Sequence, residues 1–274
     1  MLSLAVLELR NNIKDTKALM FVQARMESGR LPGKVARPLS GQPMILRQLD
    51  RLSRSKTCEK PILLTAATAP NEQLLDLARK HGYKADAPEV GENDVLARFW
   101  CANFTMNPNN VPIVRITGDC PLIDVAVVDE LVDMFNNDNN MDYASLGPEW
   151  ADGLDCEIFT SAALNMASNR TTNLDREHVT PYMYKSGLLK CGRLPCPFDM
   201  TNERWCVDDE RDFMFVSRIF EELETTPNFG WREVLGVVNY LRLNLVYPNR
   251  ENRNQGYLKQ AGINESWEEF RFGK

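Results

Sequence analysis

Apolar runs and amphipathic segments alternate along the first half of the chain. Short apolar runs bounded by turn residues are typical of strands, and we predict strands at four of them: "ALMFVQA" (18–24), "PILLTAAT" (61–68), "VPIVRITG" (111–118) and "MDYASL" (141–146). Segments with helical spacing lie between these runs. Because strands and helices alternate, we expect an α/β fold whose mainly parallel central sheet carries helices on both faces.

Two of the predicted helices have recognisable ends. Pro43 opens "PMILRQLDRLSRS" at the first helical position, where proline is well tolerated. Asn71 caps "NEQLLDLARKHG", and Gly82 stops it. Two further helices are predicted by apolar spacing alone, at "NDVLARFWCANF" and "VAVVDELVDMFNN".

The regular alternation of predicted strands and helices ends at about residue 150. We predict short strands at "GLDCEIFT" and "RWCVD" (204–208), and helices at "SAALNMASN" and "EHVTPYMYK". "ERDFMFVSRIFEEL" has a strong apolar face and predicts an amphipathic helix. No internal repeat or low-complexity linker interrupts the chain, so a single embellished α/β domain is the simplest organisation.

Composition narrows the class of protein. The chain has 274 residues, 43% of them hydrophobic, which is enough for a large buried core. Its net charge of −6 argues against a nucleic-acid partner, and its apolar runs are too short for membrane insertion. Glu8 and Arg10 make the apolar N-terminus a poor signal peptide. The seven scattered cysteines form no C-x-x-C pair, so we expect neither a zinc site nor a disulfide framework. Free cysteines are typical of a reducing compartment, so we expect a cytoplasmic location.

The loop after the first predicted strand, "VQARMESGRLPGK", concentrates positive charge. Arg25, Arg30 and Lys34 lie on it together with Gly29 and Gly33, where a close backbone approach is possible. Loops that follow the strands of an open α/β sheet bind ligands, and arginine and lysine bind phosphate oxygens. The spacing is not that of a Walker A loop. A solvated surface loop is the alternative, and three cations on one Gly/Pro loop favour an anionic ligand over it.

"QARMESGRLPGK" resembles the signature of cytidylyltransferases, above all those of spore-coat polysaccharide biosynthesis, which are related to CMP-Kdo and CMP-sialic acid synthetases. Their pattern has Thr where this chain has Gly29. Five further blocks match in the same order: "VRITGDCPLID" (114–124), "GLDCEIF" (153–159), "REHVTPY" (176–182), "RWCVDDERDF" (204–213) and "NRNQGYL" (252–258). The resemblance implies a Rossmann-like (GT-A-like) nucleotidyltransferase fold, CTP as substrate and a homodimer. It covers a single domain, 18–274, and leaves residues 1–17 as an N-terminal extension. Within that domain it implies a nucleotide-binding half (18–150) and a half for acceptor binding and oligomerisation (151–274).

Two aspartates are candidates for a metal site. Asp119 ends a predicted strand and Asp208 ends another, so both carboxylates could line one edge of the sheet and hold Mg²⁺, which prefers oxygen ligands. Each also has a structural alternative, Asp119 as a turn residue before Pro121 and Asp208 as a helix cap. The resemblance favours the metal, because the family's two Mg²⁺-binding aspartates match these positions.

The resemblance also implies roles for other residues. It makes three residues of the basic loop the catalytic cations, namely Arg25, Arg30 and Lys34. Lys34 is expected to offset the negative charge that develops on the leaving group. The remaining nucleotide-binding candidates are Gln23, Ala24, Ser28, Thr65, Ala66, Asp94, Arg98, Thr117 and Asp119. Asp94 and Arg98 have the spacing of a simple helix-surface ion pair as well.

Candidates for the acceptor lie in the second half. They are Asp155, Glu157, Arg176, His178 and Arg204. Asp155 and Glu157 would share a face of their predicted strand, and the arginines with the histidine suit a small anionic acceptor. A solvent-facing strand edge and a structural histidine are the alternatives. No clear general base is visible, which leans toward a phosphate ester over a sugar acid.

The implied reaction is transfer of CMP from CTP to such an acceptor, with release of pyrophosphate, for the synthesis of a surface polysaccharide or glycoconjugate. A glycosyltransferase of related fold is one alternative, although the chain has no D-x-D motif. A non-catalytic nucleotide-binding protein is another, and the presence of Lys34, Asp119 and Asp208 argues against it.

Overall fold

The computed structural model describes residues 17–138, 140–172, 175–247, 253, 258–259 and 261–272. Nearly all of the N-terminal extension and most of the block at 252–258 lie outside these ranges. The strands, in chain order, are β1 Leu19–Gln23, β2 Pro38–Leu39, β3 Gln42–Pro43, β4 Ile62–Leu64, β5 Lys84–Asp86, β6 Ile113–Thr117, β7 Tyr143–Leu146, β8 Cys156–Phe159 and β9 Cys191–Leu194. The α-helices are α1 Met44–Leu52, α2 Ala69–Lys80, α3 Val95–Met106, α4 Val125–Asn137, α5 Ser161–Arg170, α6 Asp175–His178, α7 Pro181–Lys185, α8 Glu210–Glu222, α9 Trp231–Tyr240, α10 Leu243–Val246 and α11 Trp267–Phe272.

A seven-stranded sheet runs through the centre of the molecule in the order β5, β4, β1, β6, β8, β7, β9. β8 is antiparallel to β6 and β7, and every other neighbouring pair is parallel. β2 and β3 form a separate hairpin. The predicted, mainly parallel sheet is therefore confirmed. β8 and β9 come from the second half of the chain, so one sheet is built from both halves.

Helices cover both faces of the sheet, as predicted. Side chains alternate along β1: Met20 and Val22 join one buried cluster, whereas Phe21 joins the other. Helices α1, α4, α8 and α9 contribute to the first cluster, and α3 and α5 contribute to the second. Strands buried on both faces require such apolar runs, because both sides must pack against helices.

Four local predictions are wrong. Pro43 is not the first residue of α1, which begins at Met44; it is the last residue of β3 and precedes the helix. Asn71 does not cap α2, which begins at Ala69 after Thr68; its buried side chain instead accepts a hydrogen bond from the Met26 amide at 2.8 Å. "EHVTPYMYK" forms two short helices, because Pro181 lacks the amide hydrogen that a continuous helix would use. Residues 204–208 form no strand, only a single bridge between Asp152 and Arg204.

The segment at 204–208 fails to form a strand because its backbone hydrogen bonds are divided between two loops. The Trp205 amide donates to the carbonyl of Asp152, at 2.6 Å. The Val207 amide donates to the carbonyl of Asp119, at 2.8 Å. A ladder needs one continuous partner strand. The segment instead ties the loop after β6 to the loop before β8, which brings both candidate metal ligands to one place.

None of the helices in the described ranges combines the length and the apolar character that a bilayer crossing requires.

Candidate active site

The site forms where two neighbouring parallel strands end. Gln23 is the last residue of β1, Thr117 is the last of β6, and the two are in register. The Gly118 amide donates to the Gln23 carbonyl at 2.7 Å. A Cβ atom on Gly118 would lie 2.6 Å from the Cβ of Ala24, so only glycine lets the two loops approach this closely.

The basic loop is folded back on itself after β1. The Gly33 amide donates to the Met26 carbonyl at 2.7 Å, and Gly33 has a φ of 71°, a left-handed conformation that favours glycine. The Met26 amide is held in turn by the side chain of Asn71. A turn of 3₁₀-helix, Lys34–Ala36, follows and buries the Lys34 side chain in the cleft wall.

Lys34 lies between the two aspartates that were predicted to hold a metal. Its Nζ is 3.3 Å from Oδ2 of Asp119 and 3.1 Å from Oδ1 of Asp208, and it donates to the Val207 carbonyl at 2.6 Å. Burial by itself would lower the pKa of Lys34, but the two carboxylates outweigh it and raise the pKa. Lys34 therefore stays protonated at neutral pH.

Asp208 is the most heavily paired acid of the site. Its carboxylate contacts Arg30 at 2.9 Å and Arg204 at 2.5 Å, in addition to Lys34. Burial raises the pKa of Asp208, and the cations Lys34, Arg204 and Arg30 more than reverse this and bring the pKa to about 2. Asp208, on the segment before α8, is thus a stable anion that contacts the basic loop through Arg30 and Lys34.

Asp119 and Asp208 form a donor set that suits a hard cation. Their side chains keep 31% and 20% of their surface exposed, so both are open to the cleft. Among the described residues, no group of three or more histidine, cysteine or acidic side chains is placed to enclose a metal ion. Two carboxylates, with the remaining positions left to water and phosphate, are the usual protein contribution to a Mg²⁺ site.

A cleft of about 650 Å³ opens over these residues. Most of the residues predicted from the sequence line it: Gln23, Ala24, Arg25, Ser28, Arg30, Lys34, Arg98, Thr117, Asp119, Asp155, Glu157, His178, Arg204 and Asp208. The structure thus brings the basic loop, both aspartates and most of the acceptor candidates into one continuous cavity.

Four predicted residues do not line this cleft. Thr65 and Ala66 are buried after β4. Asp94 caps α3 by accepting from the Ala97 amide at 3.0 Å, and it forms an ion pair of 3.0 Å with Arg176. The structure gives Asp94 this contact with Arg176 in place of the helix-surface pair with Arg98 that was the alternative to a nucleotide-binding role. Asp94 and Arg176 therefore hold α3 and α6 together at the side of the cleft.

Asp155 and Glu157, two of the acceptor candidates, occupy different positions in the wall of the cleft. Glu157 is on β8, where Arg115 contacts it at 2.5 Å and Arg271 at 3.0 Å. Burial raises the pKa of Glu157, but Arg115 and Arg271 outweigh it and lower the pKa. Asp155 precedes the strand and contacts Arg253 at 2.9 Å.

Several residues of the cleft were not singled out by sequence reasoning. They are Arg115, Asp152, Tyr184, Lys259, Trp267 and Arg271. Arg115 was the one with a visible signal, since a charged residue inside the apolar run of β6 must have a buried partner. Asp152 is buried against Arg204, and burial raises its pKa to about 6 even though Arg204 and Arg253 oppose the shift.

Comparison with known proteins identifies the family of this chain. The model of the cytidylyltransferase family matches residues 19–225. An uncharacterized protein of Methanocaldococcus jannaschii is 34% identical over 89% of this chain and 97% of its own length. The spore coat polysaccharide biosynthesis protein SpsF of Bacillus subtilis is 25% identical over 81% of this chain and 93% of its own.

Solved structures show the same fold. A cytidylyltransferase from Leptospira borgpetersenii superimposes with a TM-score of 0.78 at 28% identity, covering 86% of this chain and 99% of that one. A CMP:2-keto-3-deoxy-manno-octonic acid synthetase superimposes with a TM-score of 0.59 at 15% identity, covering 76% and 99%. The protein is a nucleotidyltransferase, and the chain belongs to the cytidylyltransferase family.

Proposed function

We propose that this enzyme transfers CMP from CTP to a small anionic acceptor, a sugar acid or a phosphorylated sugar or polyol, and releases pyrophosphate with the help of Mg²⁺. One observation carries the proposal: Lys34 lies between Asp119 and Asp208, at 3.3 and 3.1 Å, in a cleft that Arg25 and Arg30 also line. Three cations beside two open carboxylates are what a triphosphate with a bound divalent ion requires.

CTP is proposed as the nucleotide because of the family and its relatives. The synthetase with the similar fold was solved in complex with CTP. Gln23, Ala24, Ser28 and Thr117 line the cleft next to the basic loop and are proposed to contact the nucleotide. Arg98 lines the same cleft, where its guanidinium donates to the Glu92 carbonyl at 2.8 Å.

Catalysis in this proposal is mainly positioning and electrostatics. An acceptor oxygen attacks the α-phosphorus of CTP in line, a new P–O bond forms, and the bond to the β-phosphate oxygen breaks, so pyrophosphate leaves with its electron pair. Asp119 and Asp208 would hold Mg²⁺, which would supply positive charge next to the phosphate oxygens. Lys34, whose raised pKa keeps it protonated, stabilises the charge that develops on the leaving group.

The second half of the chain is proposed to bind the acceptor. Asp155, Glu157, His178 and Arg204 line the cleft, while Arg176 is committed to Asp94 and supports the wall from outside. A phosphate monoester attacks as an anion, whereas the hydroxyl of a sugar acid gains from a base that takes its proton.

We further propose that the enzyme acts in the cytoplasm, as a homodimer, in the synthesis of a surface polysaccharide or glycoconjugate. The pathway is supported by the similarity to the spore coat polysaccharide protein of Bacillus subtilis. The location is supported by the seven cysteines, all of them free thiols.

Pyrophosphate release tests the function. Purified enzyme with Mg²⁺ is given CTP, UTP, ATP or GTP together with sugar acids or small phosphate esters. We expect release with CTP and one class of acceptor, and loss of that release in Lys34→Ala and Asp119→Ala. Mg²⁺-dependent binding of a nucleotide sugar without any pyrophosphate release would contradict the proposal and favour a glycosyltransferase.

A further inference from the structure

Two guanidinium groups share one carboxylate in the wall of the cleft. Arg115 lies 2.5 Å from Oε2 of Glu157, and Arg271 lies 3.0 Å from its Oε1. The hydroxyls of Tyr143 and Thr180 donate to the same Oε1 at 2.5 and 2.9 Å. Because both hydroxyls are neutral, Glu157 is the carboxylate that these described contacts place against the two guanidinium groups, and its single charge balances one of their two.

The carboxylates around Arg204 are shared among several cations. Arg204 contacts three of them, and one of the three, Asp208, also contacts Lys34 and Arg30. An anionic acceptor would be attracted to the Arg115–Arg271 pair, and attraction of this kind is strong in a cleft with low-dielectric walls.

Two aromatic rings flank Arg271. Its guanidinium carbon is 4.7 Å from the centre of the Tyr184 ring and 5.3 Å from that of Trp267. Both rings also line the cleft. These cation–π contacts place flat apolar surfaces next to the charge, as suits the C–H face of a sugar ring.

Arg271 and Trp267 come from α11, which lies beyond the residues matched by the family model. Arg25, Arg30, Lys34, Asp119 and Asp208 all lie within that match. The residues assigned to the triphosphate and the metal therefore belong to the part of the chain that the family model matches. The cleft residues of α11 lie outside that part.

We propose that Arg271, together with Arg115, binds the anionic group of the acceptor, and that Tyr184 and Trp267 pack against its sugar ring. Arg271 is then a specificity-determining residue, supplied by the C-terminal helix. The inference rests on the proposed function, since it locates the acceptor in the same cleft. The group bound by Arg115 and Arg271 would be an anion on a sugar ring, and either a carboxylate or a phosphate could supply it.

The test uses three probes of one ring with different charges: glucuronate, glucose 6-phosphate and glucose. Their dissociation constants are measured on the full chain by calorimetry, in wild type, Arg271→Gln and Arg271→Lys. We expect at least one charged probe to bind wild type about 10-fold or more tightly than glucose, and Arg271→Gln to abolish that preference. Arg271→Lys keeps the charge but not the planar fork, so part of the preference is retained.

The charged probe that loses affinity in Arg271→Gln identifies the anion as carboxylate or phosphate, or as both. Arg218→Gln is the matched control, because Arg218 is exposed on α8 and pairs with Glu221 and Glu222. The proposal is overturned if neither charged probe binds wild type more tightly than glucose. It is also overturned if Arg271→Gln, with an unchanged melting temperature, leaves the preference intact.

Binding of CTP with Mg²⁺ is measured in parallel on the same proteins. We expect it to be unchanged in Arg271→Gln and weakened in Lys34→Ala. Absence of CTP binding in wild type would contradict the proposed function, whereas the probes report on the acceptor subsite alone.

Discussion

The ammonium nitrogen of Lys34 lies 3.1 Å from Oδ1 of Asp208, although 174 positions separate the two residues in the chain. The contact joins the basic loop after β1 to the segment before α8. It is possible because the Val207 amide binds the carbonyl of Asp119, which aligns both acid-bearing loops beside Lys34. The catalytic proposal depends on this arrangement, and each of its parts can be changed separately.

Replacement of Lys34 tests the charge at the leaving group. We expect Lys34→Ala to lower kcat/KM for CTP by about 10²- to 10³-fold, the effect of losing one preorganised donor to a developing charge. Lys80→Ala is the control, since Lys80 is exposed at the end of α2. Steady-state pyrophosphate release measures both. Equal activity of the two variants would show that Lys34 has no role in the reaction.

Gly118→Ala tests the close approach of the two loops. The new Cβ would meet Ala24 at 2.6 Å and the Gln23 carbonyl at 3.0 Å, so we expect a loss of about 1–3 kcal/mol in unfolding free energy and weaker CTP binding. Gly29→Ala is the matched control, because nothing lies within 4 Å of a Cβ at Gly29. Denaturant unfolding and calorimetry compare them, and a Gly118→Ala variant as stable as Gly29→Ala would refute the packing argument.

Glu157→Gln tests the buried ion pairs that Glu157 forms in the wall of the cleft. Removal of one charged partner leaves Arg115 and Arg271 uncompensated, and we expect the unfolding free energy at pH 7 to fall by about 3–5 kcal/mol. Glu221→Gln on the surface of α8 should cost less than about 1 kcal/mol.

The same variant has a predicted pH dependence. The folded-state pKa of Glu157 is below its ordinary value of 4.5, so its stabilisation is present above pH 4.5 and is lost as pH falls through the lower folded value. Wild type should therefore lose stability on acidification below pH 4.5 more steeply than Glu157→Gln. Parallel unfolding curves for the two proteins across that window would contradict the assignment.

Metal removal tests the role of the two aspartates. We expect chelation by EDTA to abolish pyrophosphate release and added Mg²⁺ to restore it. Asp119→Asn and Asp208→Asn should each raise the Mg²⁺ concentration for half-maximal activity by about 10-fold or more, because each removes one anionic ligand. Asp138→Asn serves as the control, since Asp138 pairs with Lys190 on the surface. Unchanged Mg²⁺ requirements in both site variants would place the metal elsewhere.

The sequence was most informative where structure follows from local pattern. The strands at the centre of the sheet and most of the long helices were predicted because burial on one or both faces imposes a regular spacing of apolar residues. The helix α9, Trp231–Tyr240, was not predicted. The edge strands β5 and β9 were not predicted, since "KAD" and "CGRL" are largely exposed and lack that spacing. The bridge at Arg204 was mistaken for a strand because its partners are two separate loops.

The candidate site shows the same division. The cations of the first loop and the two aspartates stand at the ends of apolar runs, where their position alone suggests a ligand. The contacts of Glu157 with Arg115 and Arg271 join β8 to β6 and to the C-terminal helix. No local pattern encodes such long-range pairs, because they depend on the order of strands in the sheet and on where the last helix packs.

The most direct measurement is a crystal structure of the enzyme soaked with CTP and Mn²⁺, whose anomalous scattering locates the ion. The account predicts an anomalous peak at the carboxylates of both Asp119 and Asp208, with the triphosphate against Arg25, Arg30 and Lys34. A metal ion bound away from these two aspartates, or CTP bound outside the cleft, would contradict it.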